Sequence, residues 1–470
     1  MGGMLALGAC GCRATGWFGS SELVRLGVLS DIHLTTPGSE DTFIKALRYF
    51  DSRRVDGVVI AGDLADRGRV SQLKLAADAW RTVFPGDRRS DGAHVEKLFV
   101  YGNHDVQGWE WDDLPQADEA TKRAEAIGYG DNPARVWEQC FGERYEPVWM
   151  KRVRGVQVIG AHWRGQSGTE LAKYLAAQAA EIDCDRPLIC IQHPHPKGTC
   201  IGDWASCCDD GQVTEALGSY PNAVVFSGHS HYTLTDERSV WQGGFTSINT
   251  SSLSETSYDY SLRENVWGRS GGFRGDESVR RRLMGGFRTN EARQGMVVSV
   301  FADRLEIERR EFVTDTSLGP DWIVPLPAGS GAFSFAARAA KRVAPQFAAG
   351  ARAELRRFTG SVDMGGGRMV DREIVEVSFP AAEPREGCRV FDYEISAVLV
   401  EDDLDLVQVQ RRIIAPDHHL SPSAPPRPGS CPFALDELPL KGHYRFEVRP
   451  IECFGKKGAP LVSDVIFLKV

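Results

Sequence analysis

The stretch Leu23–Ser30 (LVRLGVLS) is largely apolar and is followed at once by Asp31-Ile32-His33. The same arrangement recurs along the chain, with a short apolar run before a polar residue or motif. The further runs are Val58–Ala61 before Gly62-Asp63, Leu98–Tyr101 before Gly102-Asn103-His104-Asp105, Leu188–Gln192 before His193, and Ala223–Ser227 before Gly228-His229-Ser230-His231. Apolar runs without alternation are typical of strands buried on both faces. Since ligands gather beyond the carboxyl ends of strands in open α/β sheets, we expect these strands to deliver the polar side chains to one edge.

The polar residues after these runs could form a metal centre. They offer seven oxygen or nitrogen ligands and one additional histidine. Two cations about 3.5–4 Å apart promote phosphate-ester hydrolysis, because they acidify water and stabilise the charged transition state. A carboxylate bridges such a pair well, and we expect Asp63 to be the bridge. Mixed nitrogen and oxygen ligands favour Fe, Mn, Zn or Co over Ca or Mg, and a set without thiolates argues against a closed structural zinc site.

The order of the motifs and their strand contexts resembles the calcineurin-like metallophosphoesterase superfamily over about residues 23 to 313. The resemblance implies an α/β fold of two stacked mixed sheets with flanking helices. It also implies two divalent or trivalent metal ions, for which we expect Mn, Fe or Zn. The first ion would be bound by Asp31, His33, Asp63 and His231, and the second by Asp63, Asn103, His193 and His229.

His104 directly follows a predicted metal ligand, so we expect it to lie near the substrate and to act as the general acid. Asp66 and Asp105 are both candidates to orient its imidazole, and resemblance to the family's GDxxDRG pattern favours Asp66. Arg67 in the same block offers a planar fork for phosphate oxygens, with a solvated surface charge as the alternative.

The roles of several other residues near these motifs are not decided by the sequence. His195 follows His193 in the sequence HPHP and could contact substrate or be a bystander. His162 ends an apolar run, but we expect it to be structural. Asp203 and Trp204 lie in the insert 197–212 and are candidates to line the pocket or to pack as an ordinary surface loop.

Chain length bears on the number of domains, and net charge bears on the type of substrate. The chain has 470 residues, which predicts more than one domain. Its net charge of −9 and sequence pI near 5.7 argue against a broad basic surface for nucleic acid. We therefore expect a small phosphate-ester substrate rather than DNA or protein.

The N-terminus suggests export. Leu7-Gly8-Ala9-Cys10 resembles the lipobox of bacterial lipoproteins, so we expect a lipid anchor at Cys10 and a periplasmic or cell-surface location, with the cytoplasm as the alternative. The 11 cysteines fit this expectation if they form disulfides, whereas buried apolar cysteines are the alternative.

The chain divides into four predicted segments: a leader at 1–22, the metallophosphoesterase domain at 23–320, a linker at 321–340 and a second domain at 341–470. The alternating runs Ile374–Phe379, Val390–Val400, Val407–Ile414 and Tyr444–Val448 predict an all-β sandwich. Leu438–Gly455 resembles the penultimate strand of a fibronectin type III domain, which implies that Tyr444 is the tyrosine-corner residue. We expect this second domain to dock a protein or glycan.

The leading hypothesis is a metal-dependent phosphohydrolase that cleaves a small phosphodiester or phosphomonoester, with metal-activated hydroxide as nucleophile. Two alternatives remain. A dimetal nuclease would require a basic cleft and strong salt dependence. A surface binding or scaffold protein with a vestigial metal site is the non-enzymatic alternative, although the complete ligand set and His104 argue against it.

Overall fold

The computed structural model describes residues 21–164, 167–200, 203–206, 209–257, 288–289, 291–363, 369–401 and 404–469. Cys10 and the side chains of Asp203 and Trp204 lie outside the described residues. So does most of 254–295, a polar segment rich in Arg, Gly and Ser that the sequence predicts to be a long loop. The chain forms two compact units. Of the described residues, the first unit holds those up to Leu234 together with those within 239–256 and 290–334, and the second holds those within 235–238, 257–289 and 335–470.

Strands and helices alternate through the first part of the chain. The helices are α1 (Asp41–Ser52), α2 (Val70–Val83), α3 (Asn103–Gln107), α4 (Glu119–Glu125), α5 (Asn132–Phe141), α6 (Ser167–Ala177) and α7 (Gln212–Leu217). The strands are β1 (Val24–Leu29), β2 (Gly57–Ala61), β3 (Glu96–Val100), β4 (Val148–Val153), β5 (Val156–Ala161), β6 (Leu188–Ile191), β7 (Ala223–Ser227), β8 (Val240–Gln242), β9 (Thr246–Asn249), β10 (Thr256–Ser257), β11 (Arg288–Thr289), β12 (Gln294–Val300), β13 (Arg304–Glu311), β14 (Thr316–Ser317) and β15 (Trp322–Pro325).

Two mixed sheets form the centre of the first unit. One has the strand order β14–β13–β12–β1–β2–β3 with β15 beside β13, and the other has the order β4–β5–β6–β7–β9–β8. β1, β2 and β3 are parallel, as are β5, β6, β7 and β9. Side chains from both sheets, such as Val28 and Ile189, belong to one buried apolar core. The predicted α/β architecture is therefore confirmed.

Helices cover the outer faces of both sheets. On α1, Phe43, Ala46, Leu47 and Phe50 are buried at the spacing of one helical face. α6 ends at Ala177, five residues before the end of the helix Thr169–Ile182 that the apolar pattern predicts. The Gln157 side chain accounts for the early end, because its amide donates to Glu181 O at 2.8 Å and its carbonyl accepts from Asp183 N at 2.8 Å. These bonds hold the following residues in a turn.

The predicted linker 321–340 contains ordered structure. Residues 322–325 form β15, which pairs antiparallel with β13. Trp322 and Val324 are buried while Ile323 is 52% exposed, so the segment alternates as an edge strand does. The prolines and glycines that follow it hid this short alternation in the sequence.

The second unit is rich in strands, consistent with a β domain. It contains α8 (Phe335–Ala340) and the strands β16 (Glu354–Asp363), β17 (Met369–Phe379), β18 (Val390–Glu401), β19 (Leu404–Ile414), β20 (Gly429–Ala434), β21 (Gly442–Glu452), β22 (Leu461–Val462) and β23 (Ile466–Leu468). One sheet has the order β16–β17–β20, and the other has the order β19–β18–β21–β22 with β23 also paired to β21. Val377 and Phe433 of the first sheet share a buried core with Ile395 and Phe446 of the second.

Two further findings concern the helices and the cysteines. Within the described residues, no helix combines the length and the apolar character needed to cross a membrane. Cys140, Cys190, Cys388 and Cys431 are buried free thiols, and burial raises the pKa of Cys190 to about 12. These four cysteines are the buried apolar kind rather than members of disulfides.

Removing the Tyr444 hydroxyl is expected to destabilise the second unit. Tyr444 is fully buried, and its Oη donates to Leu440 O at 2.7 Å. Tyr444→Phe leaves that carbonyl without this donor and should lower the free energy of unfolding by about 1 kcal/mol. Urea denaturation would measure the loss, with Tyr174→Phe on α6 of the first unit as the matched control. Equal stability of Tyr444→Phe and the wild type would contradict this expectation.

Candidate metal centre

The predicted ligands converge at the carboxyl ends of parallel strands from both sheets. Asp31, Asp63, His193 and His229 each lie two residues beyond the end of β1, β2, β6 and β7, and Asn103 lies three residues beyond β3. Their ligand atoms form overlapping groups, in each of which all atoms lie within 4.8 Å of one another. The groups are Asp31, His33 and His231; His33, Asp63 and His104; and Asp63, His193 and His229.

The first group surrounds the loop after β1. Asp31 Oδ1 lies 3.0 Å from His231 Nε2, and His33 Nε2 lies 3.2 Å from the same His231 nitrogen. His33 Nε2 is also 3.8 Å from Asp63 Oδ2. Asp63 therefore borders this group as well as the next one.

The second group centres on His193. His193 Nε2 lies 3.1 Å from Asp63 Oδ2 and 2.9 Å from Asn103 Oδ1. The His193 and His229 rings have centroids 5.0 Å apart. The structure thus brings together all seven residues that the sequence predicts as metal ligands, with Asp63 in the central position.

Backbone and carboxylate acceptors orient three of the histidines. His193 Nδ1 lies 2.7 Å from Ala61 O, His231 Nδ1 lies 3.1 Å from Glu255 O, and His33 Nδ1 lies 3.2 Å from Asp66 Oδ1. A hydrogen bond donated by Nδ1 leaves the Nε2 lone pair free to face the site, which is how proteins usually present a metal-binding histidine.

The lone pairs of these nitrogen and oxygen atoms are arranged to bind cations. With Nδ1 as donor in both rings, the His33 and His231 Nε2 lone pairs face each other at 3.2 Å. His193 Nε2 likewise faces the Asn103 and Asp63 oxygens. Lone pairs at these distances repel unless a proton or a cation lies between them. Buried nitrogen and oxygen donors in this number suit two transition-metal ions.

The backbone at the ligand positions is strained. Most non-glycine residues avoid positive φ, yet several ligands adopt it. Their φ angles are 50° at Asp31, 50° at His33, 55° at Asp63, 69° at His229 and 58° at His231. Such strain persists only where the surrounding structure enforces it, and it concentrates at functional sites. The loops therefore hold these side chains at the site at a cost in backbone conformational energy.

Asp105 connects two of the motifs through their backbone. Its carboxylate accepts hydrogen bonds from Ala65 N at 2.7 Å and Gly102 N at 2.8 Å. Burial, with the nearby Asp63 charge, raises the pKa of Asp105 to about 7. Gly102 sits so close to the site that a Cβ there would lie 2.1 Å from Asp63 Oδ1. Asp105 thus holds the loops in place, and its hydrogen bonds go to backbone groups rather than to the His104 ring.

Electrostatics favour the metal-binding forms of Asp31, Asp63 and His229, whereas they favour a proton on His193. Although burial opposes ionisation, His231 lowers the pKa of Asp31 to about 2, and His193 holds the pKa of Asp63 well below its usual value. Burial lowers the pKa of His229 to about 3, which keeps its imidazole neutral. Burial also opposes a charge on His193, but Asp63 raises the pKa of His193 to about 9. A metal ion binding there would displace that proton.

His104 lies beside the ligand groups with its ring partly open to solvent. The ring is 28% exposed, and Nδ1 lies 2.8 Å from the backbone oxygen of Asp66. The Asp66 carboxylate is 3.8 Å from the same nitrogen and closer to His33. Asp66 therefore contacts both histidines, His104 through its carbonyl and His33 through its carboxylate. Arg67 is 48% exposed at the rim and pairs with Asp66 at 3.2 Å.

Other residues from the sequence analysis lie around the centre. His195 is buried, and its Nε2 lies 3.0 Å from Ser230 Oγ. His162 is buried and accepts a hydrogen bond from Tyr101 N at 3.0 Å, as a structural histidine does. Trp163, to which no sequence motif points, lies two residues beyond β5, at the position that carries a predicted ligand after four other strands.

Asp66→Asn is expected to weaken metal binding. The substitution keeps the backbone carbonyl that contacts His104 but replaces the carboxylate that orients His33. Replacing such a charged outer acceptor by a neutral amide typically costs about 10–100-fold in metal affinity. Metal titration should show this loss, while turnover at saturating metal largely recovers. Asp113→Asn, a change at an 85% exposed carboxylate, is the control. Unchanged metal affinity in Asp66→Asn would contradict the orienting role.

One family model matches the part of the chain that carries all seven predicted ligands. Residues 24–233 match the model of the family described as calcineurin-like phosphoesterase. No curated protein sequence matches the chain. Three solved structures that resemble it are a dimetal phosphatase from Danio rerio (13% identity, TM-score 0.36, covering 65% of this chain and 99% of that chain), a purple acid phosphatase from yellow lupin, Lupinus luteus (11%, 0.42, 65% and 54%), and the Plasmodium inner-membrane-complex anchor GAP50 (11%, 0.37, 66% and 91%).

Proposed function

We propose that the calcineurin-like phosphoesterase domain at residues 24–233 is a dimetal phosphohydrolase that cleaves a small phosphodiester or phosphomonoester. The observation that carries this proposal is the position of Asp63, which belongs to two of the ligand groups and borders the third. A buried carboxylate between two sets of imidazoles is the arrangement that a bridged metal pair needs.

The proposed ligand sets share Asp63. Asp31, His33 and His231 complete the first, and Asn103, His193 and His229 complete the second. Metal ions bound there would polarise the phosphate ester and acidify the attacking water. The protein's own part is to fix the donors in place, which the hydrogen bonds to Ala61, Glu255 and Asp66 support.

His104 is the proposed general acid. Its Nδ1 faces the Asp66 carbonyl, so Nε2 is the atom available to donate a proton to the leaving oxygen. Its backbone N–H donates to Asp63 Oδ1 at 2.8 Å, which fixes the residue beside the central carboxylate. Arg67, exposed at the rim, is proposed to bind phosphate oxygens as substrate arrives.

The second unit is proposed to be a fibronectin type III-like sandwich. Two packed sheets and the Tyr444 Oη bond to Leu440 O support this assignment, because such a bond near the start of a strand is the tyrosine-corner arrangement. An experimental structure would test it, and a different division of the strands between the sheets would reject it.

The test of the catalytic proposal is metal content together with turnover of p-nitrophenyl phosphate and its bis-ester in the presence of Mn²⁺. Close to two metal ions per chain and metal-dependent turnover are expected, with loss of turnover on chelation. The ratio of monoester to diester rates would then define the substrate class. A chain that binds no metal under any loading would overturn the proposal and favour a binding or scaffold role.

A further inference from the structure

Beside the metal centre lies a cleft of about 510 Å³, called here the Trp163 cleft. It is formed by the end of α3 and the turn after it, by the start of α5 with the loop before it, and by residues that follow β5. The lining residues used below are Gln107, Glu110, Asp131, Ala134, Tyr145, Trp163 and Arg164. All of them belong to the first unit.

Trp163 is a wall common to the cleft and the metal centre. The centroids of its indole and of the His193 ring are 6.0 Å apart, and those of the indole and the His229 ring are also 6.0 Å apart. Its backbone N–H donates to Tyr101 O at 2.9 Å, which fixes the residue at the end of β3. A group held in the cleft would therefore lie next to a phosphate bound at the centre.

α3 makes a second connection between the cleft and the site. Asn103 and His104 begin this helix, and Gln107 ends it. Residues three apart lie on the same side of a helix, so Gln107 extends the His104 side by one turn. The cleft therefore begins about one helical turn from the proposed general acid.

The cleft offers aromatic surface. Trp163 is only 3% exposed, and among the described residues its indole Nε1 has no hydrogen-bond partner. The protein encloses this nitrogen, so the ring rather than the N–H is the surface that Trp163 offers to an occupant. Half-buried Tyr145 adds a second ring to the lining. Flat aromatic walls favour a planar ring as occupant.

Charge at the cleft argues against a second anionic group. Glu110 and Asp131 line it, with Arg164 as the opposing charge. Arg164 is itself paired with Glu170 at 3.6 Å. Carboxylates in excess repel additional phosphates, so a polyphosphate or a nucleic-acid backbone fits poorly here.

We propose that the Trp163 cleft binds the organic group of the phosphate ester and that this group is planar, uncharged and aromatic or heteroaromatic. The inference rests on the proposed function, because the phosphate itself is assigned to the metal centre. Trp163 is then the residue that determines specificity, through its ring.

The test is calorimetric binding of phenylphosphonate and methylphosphonate to the Mn²⁺-loaded full-length protein. The two ligands share the phosphonate head and differ only in the organic group. Phenylphosphonate should bind about 10-fold more tightly, as expected for an aromatic ring enclosed by aromatic walls. Equal affinity of the two ligands in the wild type would overturn the inference.

Variants test whether the preference for phenylphosphonate over methylphosphonate arises in the Trp163 cleft. Trp163→Leu removes the indole, and Ala134→Trp fills the cleft from the half-buried surface of α5 without altering Trp163. Both should lower the phenyl-to-methyl ratio to about 2 or less. Trp241→Leu, a matched change on β8 where the indole packs against Phe245, should keep the wild-type ratio. Retention of the ratio in both Trp163→Leu and Ala134→Trp would overturn the inference, and Ala134→Trp decides alone if Trp163→Leu does not fold.

Hydrolysis and binding, measured on the same protein, distinguish this inference from the proposed function. Hydrolysis of p-nitrophenyl esters without a phenyl preference would leave the phosphohydrolase intact and reject the aromatic subsite. Phenyl preference that depends on Trp163, without hydrolysis of any ester, would support the subsite and reject the catalytic proposal.

Discussion

Asp63→Asn is expected to remove bound metal and activity together. The substitution preserves the shape of the side chain and tolerates the φ of 55° that Asp63 adopts, since asparagine visits this region more readily than alanine. What it removes is the charge between the two imidazole sets. Loss of a metal's contribution of several kcal/mol to charge stabilisation corresponds to about 10³-fold or more in kcat/KM.

The measurement is elemental analysis of the purified variant, paired with turnover of bis(p-nitrophenyl) phosphate. Metal content should fall below that of the wild type even after loading. Asp78→Asn is the matched control, because Asp78 is 70% exposed on α2 and pairs only with Arg81 among its described ion-pair partners. Full metal content and normal turnover in Asp63→Asn would reject the bridging role.

His104→Ala is expected to retain metal and to lose turnover in proportion to the leaving group's need for a proton. Alkyl phosphate esters should lose about 10²–10⁴-fold in kcat, the usual contribution of a general acid. Esters of p-nitrophenol should lose far less, because this leaving group departs as a stable anion. A larger loss of kcat for alkyl esters than for p-nitrophenyl esters indicates that His104 donates a proton to the leaving group.

This variant also distinguishes an acid from a ligand. His104 belongs to one of the groups whose donor atoms lie within 4.8 Å, so it stands close enough to bind a cation. Loss of metal from His104→Ala would assign it to the ligand set instead, and intact activity on alkyl esters would remove it from the mechanism. His94→Ala, at a 60% exposed histidine, is the matched control.

Much of the first unit could be predicted from local patterns. Each buried strand is a short apolar run, and a polar residue follows each run within a few positions. For parallel strands this alone places the polar side chains at a common edge. Apolar spacing along one face predicts helices over Thr42–Phe50 and Ser71–Val83, and α1 and α2 match these predictions within two residues at each end.

Other features depended on contacts between distant residues. Sequence suggested Asp66 or Asp105 as partner of His104, but only the packed loops show that Asp105 accepts from Ala65 and Gly102. The carboxylate of Asp66 lies nearer His33 than His104, a choice set by the approach of two loops. β15 was hidden because a four-residue edge strand is recognisable only beside its partner β13.

The sequence by itself therefore determined the order of strands and helices along the chain. It also determined the chemical type of the metal-ligand side chains and the sheet edge at which they meet. These depend on periodicity and on residues adjacent in the chain. The tertiary structure alone decided which donors face each other, which groups orient the histidines, and that Trp163 joins the metal centre to a cleft. Those features arise where segments far apart in sequence pack within a few ångströms, and no local pattern records such distances.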